Sequence, residues 1–261
     1  MNKDLFEKIA EECAQLNLSC TAEELAQISL ENCFDGESLH ALDTVMAHLA
    51  QKKHQALVDI RLRTSRLPLQ NPKTFDNFDF SRLYGQDKER LKELQMLAPL
   101  YARKNVALIG PPGTGKTHLA QAFGYECCQQ GINTYFLKMT ELREKMDNAR
   151  HNGTTADLLK SLVHPACLII DEVGHCHFDK EDTRLFFDMV DRRYAKESDS
   201  TIIFTSNKMP SSWTEDFSDN DSLACAMDRA FDDALVIMIS GSSYRGQRLE
   251  RVTLRTEKPT L

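Results

Sequence analysis

Apolar side chains recur along this chain with two different periods, and the change of period divides it. Over residues 2–67 the spacing is helical. Leu5, Ile9 and Cys13 fall on one face, as do Leu39, Leu42, Val45, Met46 and Leu49, running on to Leu57 and Ile60. Thr21-Ala-Glu-Glu24 reads as a capping box that opens a helix. Residues 68–80 hold two prolines and no sustained period, so they read as an extended linker, with Phe75, Phe78 and Phe80 pinning it to the next domain. A helix is expected over 86–103. Beyond it come short apolar runs at Val106–Ile109, Thr134–Leu137, Cys167–Ile170, Thr201–Phe204 and Leu235–Ile239, with helical stretches near 116–130, 140–150 and 181–196. Continuous apolar runs alternating with helices predict strands of a parallel sheet buried on both faces, hence an α/β fold. The expected division is a helical N-terminal DNA- or partner-binding domain at 1–67, a linker at 68–85 and an α/β domain at 86–261.

Composition narrows the class. With 261 residues, 41% apolar and 27% charged, the chain can bury a real core, which excludes a mainly disordered or fibrous protein. The net charge of −7 argues against a protein that coats nucleic acid by bulk charge. That total is uneven. Residues 1–50 hold two lysines against ten carboxylates, a local −8, so residues 51–261 carry +1. Eight irregularly spaced cysteines do not form a disulfide framework, and Cys13, Cys20, Cys33 and His40 lack the short paired spacing of zinc sites. Met1–Phe6 is not a basic stretch leading into an apolar one, and no run of about 18 apolar residues exists. A cytoplasmic location with no membrane partner is expected.

The candidate chemistry begins at Gly110-Pro111-Pro112-Gly113-Thr114-Gly115-Lys116-Thr117-His118, which satisfies G-x-x-x-x-G-K-[ST] between a predicted strand and a predicted helix. Glycines let several backbone N–H groups turn toward one anion, and the helix opened by the lysine adds its positive end. Lys116 reaches the β and γ phosphates of a nucleotide, and Thr117 offers a hydroxyl to Mg²⁺. A second apolar run ends in Asp171-Glu172, two carboxylates at the sheet edge where α/β folds bind ligands. Asp171 is expected to hold Mg²⁺, directly or through water, and Glu172 to orient and deprotonate the attacking water. A third run ends in Asn207, placed either to bond the water or the γ phosphate, or to cap a turn.

These residues carry a family resemblance. NVALIGPPGTGKTHLA, LIIDEVG, Arg192-Arg193-Tyr194, TSN, Met227-Asp228-Arg229 and Ser243-Tyr244-Arg245 resemble the AAA+ ATPases of the IstB/DnaC group, and LPLQNPKTFDNFDF resembles the segment before the core of IstB-like proteins. The resemblance implies an AAA+ P-loop core after a small all-α domain. It implies that Arg229 matches the arginine finger that reaches a neighbouring subunit's γ phosphate, and that Arg245 matches the second sensor arginine within its own subunit. It further implies a homo-oligomer on duplex DNA that recruits or stimulates a transposase of the same element, or alternatively a DnaC-like helicase loader.

An acidic protein can still meet DNA through local stripes. Residues 51–66 hold Lys52, Lys53, Arg61, Arg63 and Arg66 against Asp59, and residues 245–258 form a second basic stretch. Lys138, Arg143, Lys145 and Arg150 come after the phosphate-loop helix in the region that, in this ATPase group, often faces the central channel. Each stripe is a candidate DNA contact or a solvated face, and phosphate contacts of this kind are salt-sensitive.

Overall fold

The computed structural model describes residues 2–83 and 90–240. The N-terminal segment forms three helices, α1 (Asn2–Gln15), α2 (Ala22–Glu31) and α3 (Gly36–Ser65). The capping box is present: Glu24 N donates to Thr21 Oγ1 at 3.2 Å, and Thr21 N donates to Glu24 Oε2 at 2.8 Å. Asp35 caps α3 by accepting from Ser38 N at 2.8 Å. The apolar period of α3 predicts the helix correctly and its buried face poorly. Leu39, Ala50 and Val58 are buried, while Val45, Leu49, Leu57 and Ile60 are exposed. This 30-residue helix packs on α1, β2 and α6, and the face it buries there is the one that carries Leu39, Ala50 and Val58.

The linker residues Phe75 and Phe78 are buried with Leu67 in the core that backs the sheet. A short 3-10 turn, Phe80–Arg82, comes next. The helix expected over 86–103 is two pieces among the described residues, α4 (Arg90–Gln95) and α5 (Ala98–Tyr101). Leu97 between them is left-handed, at φ 55°, and Pro99 opens the second piece. Proline cannot supply the N–H that a continuous helix needs.

The core is a five-stranded sheet of β1 (Val106–Ile109), β2 (Thr134–Lys138), β3 (Cys167–Val173), β4 (Thr201–Ser206) and β5 (Leu235–Met238), in the order β2-β3-β4-β1-β5. Every neighbouring pair is parallel. The connecting helices are α6 (Lys116–Gln129), α7 (Met139–His151), α8 (Thr155–Val163), α9 (Lys180–Tyr194) and α10 (Asn220–Phe231). They cover both faces, giving two buried apolar layers, one with α7–α10 and one with the linker and α4–α6. Both faces being covered explains the unbroken apolar runs of β1, β3 and β4, whereas β5 at the sheet edge exposes Val236 and Met238. Two consequences bear on the site. β4 lies between β1 and β3, so the loops after all three strands open on one edge. The chain entering β3 and β4 is pinned by Arg193, whose buried guanidinium donates to the carbonyls of Leu162, Pro165, Ala166 and Thr201 at 2.8–3.2 Å.

Candidate nucleotide site

The loop after β1 turns on glycines that no other residue replaces cheaply. Gly113 and Gly115 are left-handed, with φ 79° and 95°, and a side chain on Gly110 would run into the Ile239 carbonyl. Thr114 is buried and closes the loop on itself, donating from Oγ1 to Pro111 O at 2.9 Å. Lys116 Nζ donates to Gly110 O and Pro111 O, each at 2.7 Å, so its charge lies within the loop. α6 begins at Lys116 with no side chain capping its N-terminus. Its first N–H groups and its positive end are thereby offered to an anion.

The carboxylates arrive from β3. That strand runs beyond its apolar run, and its pairing with β4 shifts register between Ile170 and Val173. Glu172 sits in that irregularity with φ 62°, an unusual conformation for a residue with a side chain. Asp171 is buried, and its Oδ1 accepts from Thr117 Oγ1 at 2.8 Å and Thr205 Oγ1 at 2.5 Å. Burial raises the Asp171 pKa above the usual carboxylate value, and the two hydroxyl donors oppose the rise. Glu172 projects into more open space, where its Oε2 meets Lys138 Nζ at 3.0 Å. That pairing raises the Lys138 pKa. Thr205 also accepts from Glu172 N at 3.0 Å, so one hydroxyl braces both acids. Asn207 lies just past β4, with Nδ2 3.4 Å from His175 Nε2.

Most of these groups line one cavity of about 640 Å³, while the buried Gly110, Thr114 and Asp171 lie behind its surface and Pro111 lies outside its lining. It brings together Pro112, Gly113, Gly115, Lys116, Thr117, His118, Glu172 and Asn207. It also includes a wall that the sequence pattern did not reveal, made of Lys73, Asn77, Phe78 and Asp79 from the linker. His118 fixes that wall. Its Nε2 is 2.9 Å from Thr74 O, and its ring meets Phe78 edge-on at 5.1 Å. Burial lowers the His118 pKa, so it meets this wall as a neutral imidazole near pH 7. The linker phenylalanines were the available signal, but their apolar character indicated packing and not a cavity wall.

Arg229 lies elsewhere. It stands in the last turn of α10, with Nε 3.0 Å from Asp191 Oδ1, and lines a separate cavity of about 450 Å³. That cavity includes Asn105 and Ser200, which precede β1 and β4, so it opens at the sheet end opposite the phosphate loop. Arg245 and the basic stretch 245–258 lie outside the described residues. Of the candidate DNA contacts, Lys52, Lys53, Arg63 and Arg143 are exposed and Lys145 is half-buried. Others are engaged: Arg61 donates from Nε to Gly131 O at 2.9 Å, and Arg66 meets Glu141 at 3.1 Å and the Tyr135 ring. Arg150 is held by Asp147, Asp179, Glu181 and Asp182 at 2.8–3.2 Å.

Residues 11–251 match the family described as IstB-like ATP binding protein. An ATP-binding protein of insertion sequence IS5376 from Geobacillus stearothermophilus is 32% identical over 256 residues, spanning 97% of this chain and 98% of its own. Its counterpart in insertion sequence IS21 from Pseudomonas aeruginosa is 35% identical over 208 residues, with 80% and 77% covered. Among solved structures, AMPPCP-bound DnaA from Aquifex aeolicus is 25% identical at a TM-score of 0.53, covering 66% of this chain and 51% of that one. DnaI, 20% identical at a TM-score of 0.53 with 70% and 96% covered, shares the fold.

Proposed function

We propose, for a chain that belongs to the family of IstB-like ATP-binding proteins, that ATP-bound copies assemble on duplex DNA with nucleotide at each subunit interface, and that the assembly recruits or stimulates the transposase of an insertion sequence. The chain is an ATPase built on an AAA+ core. The observation that carries the rest is the separation of Arg229 from the phosphate loop, at opposite ends of one sheet. An arginine placed there cannot serve its own nucleotide but is presented to a neighbouring copy, so hydrolysis becomes conditional on assembly.

Within one subunit the roles derive from chemistry. The α6 N-terminus and Lys116 bind the phosphates. Phe78 and the linker wall enclose the rest of the nucleotide. Thr117 and Asp171, a hydroxyl beside a carboxylate, form a hard oxygen donor set that suits Mg²⁺, and these residues would hold it. Bound there, the ion would offset phosphate charge. Glu172 takes the proton of the attacking water, and Asn207 helps hold that water or the γ phosphate. Arg229 of one copy forks onto the phosphate of the next, where its permanent charge offsets what develops in the transition state. Arg245 takes the sensor role by resemblance.

Lys52, Lys53 and Arg63 on α3, with Arg143 and Lys145 on α7, are the proposed DNA contacts. Arg150 is left out because four carboxylates already occupy it. The relatives' place in insertion sequences supports transposition over helicase loading. The test is competition between duplex and single strands at fixed salt, with and without ATP. Duplex binding that requires ATP is expected. A preference for single strands, together with capture of a replicative helicase, would favour the loader instead.

A further inference from the structure

Two arginines are held differently by their carboxylates: Arg192 on the side of α9 that faces α8, and Arg229 on the surface shared by α9 and α10. Arg192 is clasped twice by Asp188, Nε to Oδ1 at 2.8 Å and Nη2 to Oδ2 at 3.0 Å. That two-point clasp commits one whole side of the guanidinium to a partner four residues back on its own helix. Arg229 instead meets Asp191 through Nε at 3.0 Å, across from α10 to α9. Among the described residues, its Nη1/Nη2 edge donates no hydrogen bond, and that edge can fork onto two phosphate oxygens. Beneath it lies the Phe187 ring, 5.1 Å from the guanidinium carbon. Phe187 and Asp191 are four residues apart on α9 and therefore share a face, so together they form a bracket, a ring below and a carboxylate behind.

We propose that Asp191 is a positioning residue for ATP hydrolysis in the neighbouring subunit: it sets the heading of Arg229 before that arginine meets the neighbour's nucleotide. The inference rests on the reading of Arg229 as the residue donated across the interface. An arginine side chain has several rotatable bonds, and ordering them during encounter weakens any contact made at its tip. A bracket that fixes the stem and leaves the fork open removes that disadvantage in advance. The pair is also weak enough to share its charge. Arg229 is about a third exposed and Asp191 is similarly open, so solvent screens their attraction and an incoming phosphate competes for the same cation.

A mixing experiment separates positioning from general damage because it has a direction. Glu172→Gln copies cannot hydrolyse ATP but can donate Arg229. Arg229→Ala copies have an intact site but nothing to donate. Together on duplex DNA they are expected to turn over ATP at mixed interfaces. Asp191→Asn added to the donor should cut kcat in that mixture about tenfold, with KM unchanged and binding of a fluorescent ATP analogue unchanged. The same substitution added to the acceptor should have no effect, since the acceptor's bracket holds no arginine. Equal losses from either side, or no loss from the donor side, would overturn the assignment of Asp191. If the unmodified mixture fails to turn over while wild-type protein does, the reading of Arg229 falls and this inference falls with it.

Discussion

Lys138 Nζ lies 3.0 Å from Glu172 Oε2, and Lys138 is paired in the sheet with Asp171, the residue before Glu172, across β2 and β3. The carboxylate assigned to activate water is thus already occupied by a cation from the next strand. That ion pair has to open before the carboxylate can turn to a water. Lys138→Ala is expected to raise basal hydrolysis about two- to tenfold while lowering the further stimulation that DNA provides. Phosphate release measured with and without duplex checks both halves. Unchanged basal hydrolysis would show that the pair does not restrain Glu172.

Asp171 links pH to metal and nucleotide. Burial raises its pKa in the folded protein, so on acidification it takes up a proton at a higher pH than an exposed carboxylate does. The protonated form does not serve a cation. Mg²⁺-dependent ATP affinity should therefore decline as pH falls toward the carboxylate range, whereas Mg²⁺-independent nucleotide binding declines less. The stability effect has the opposite sign. A carboxyl whose folded pKa is raised disfavours the folded state once both states are ionised, so Asp171→Asn should preserve or slightly raise thermal stability while abolishing the Mg²⁺ dependence. Melting curves beside titrations across pH test the two together.

Arg193 lies in the Arg192-Arg193-Tyr194 run that closes α9, and its geometry is that of a structural strut. It is fully buried and satisfies the carbonyls of Leu162, Pro165, Ala166 and Thr201. Arg193→Leu orphans those acceptors and is expected to destabilise the fold by about 3 kcal/mol, read by urea denaturation. Arg193→Lys should recover only part of that, since an ammonium has three donors and no planar fork.

Some of this was legible in the sequence for physical reasons, and some was not. The phosphate loop is compact because its chemistry is local: glycines, lysine and threonine act within one short run, Gly110 to Thr117. The strands were legible because a sheet covered on both faces needs unbroken apolar runs. The bulge at Glu172 was not, since register between strands leaves no mark in one strand's composition. Phe78 reads as a packing residue, and only its meeting with His118 makes it a wall of the cavity. The displacement of Arg229 from the phosphate loop emerges only when α10 is folded against α9.

The loop itself makes a sharp prediction. Lys116→Ala removes a buried ammonium that stands inside the cradle and should abolish nucleotide binding in a titration with a fluorescent ATP analogue, with little loss of fold. Retained affinity would move the phosphate site elsewhere.

The central claim is that ATP gates assembly on duplex DNA. Glu172→Gln removes the proton acceptor and leaves the phosphate loop intact, so it should hold ATP without hydrolysing it. Size-exclusion chromatography of this variant with duplex DNA and ATP, with the eluted complex viewed by electron microscopy, is the most direct measurement. The account predicts a stable multi-subunit complex on DNA that forms with ATP, fails with ADP, and is lost in the Lys116→Ala variant. A monomer under ATP and duplex DNA, or an assembly of the same size without nucleotide, would contradict it.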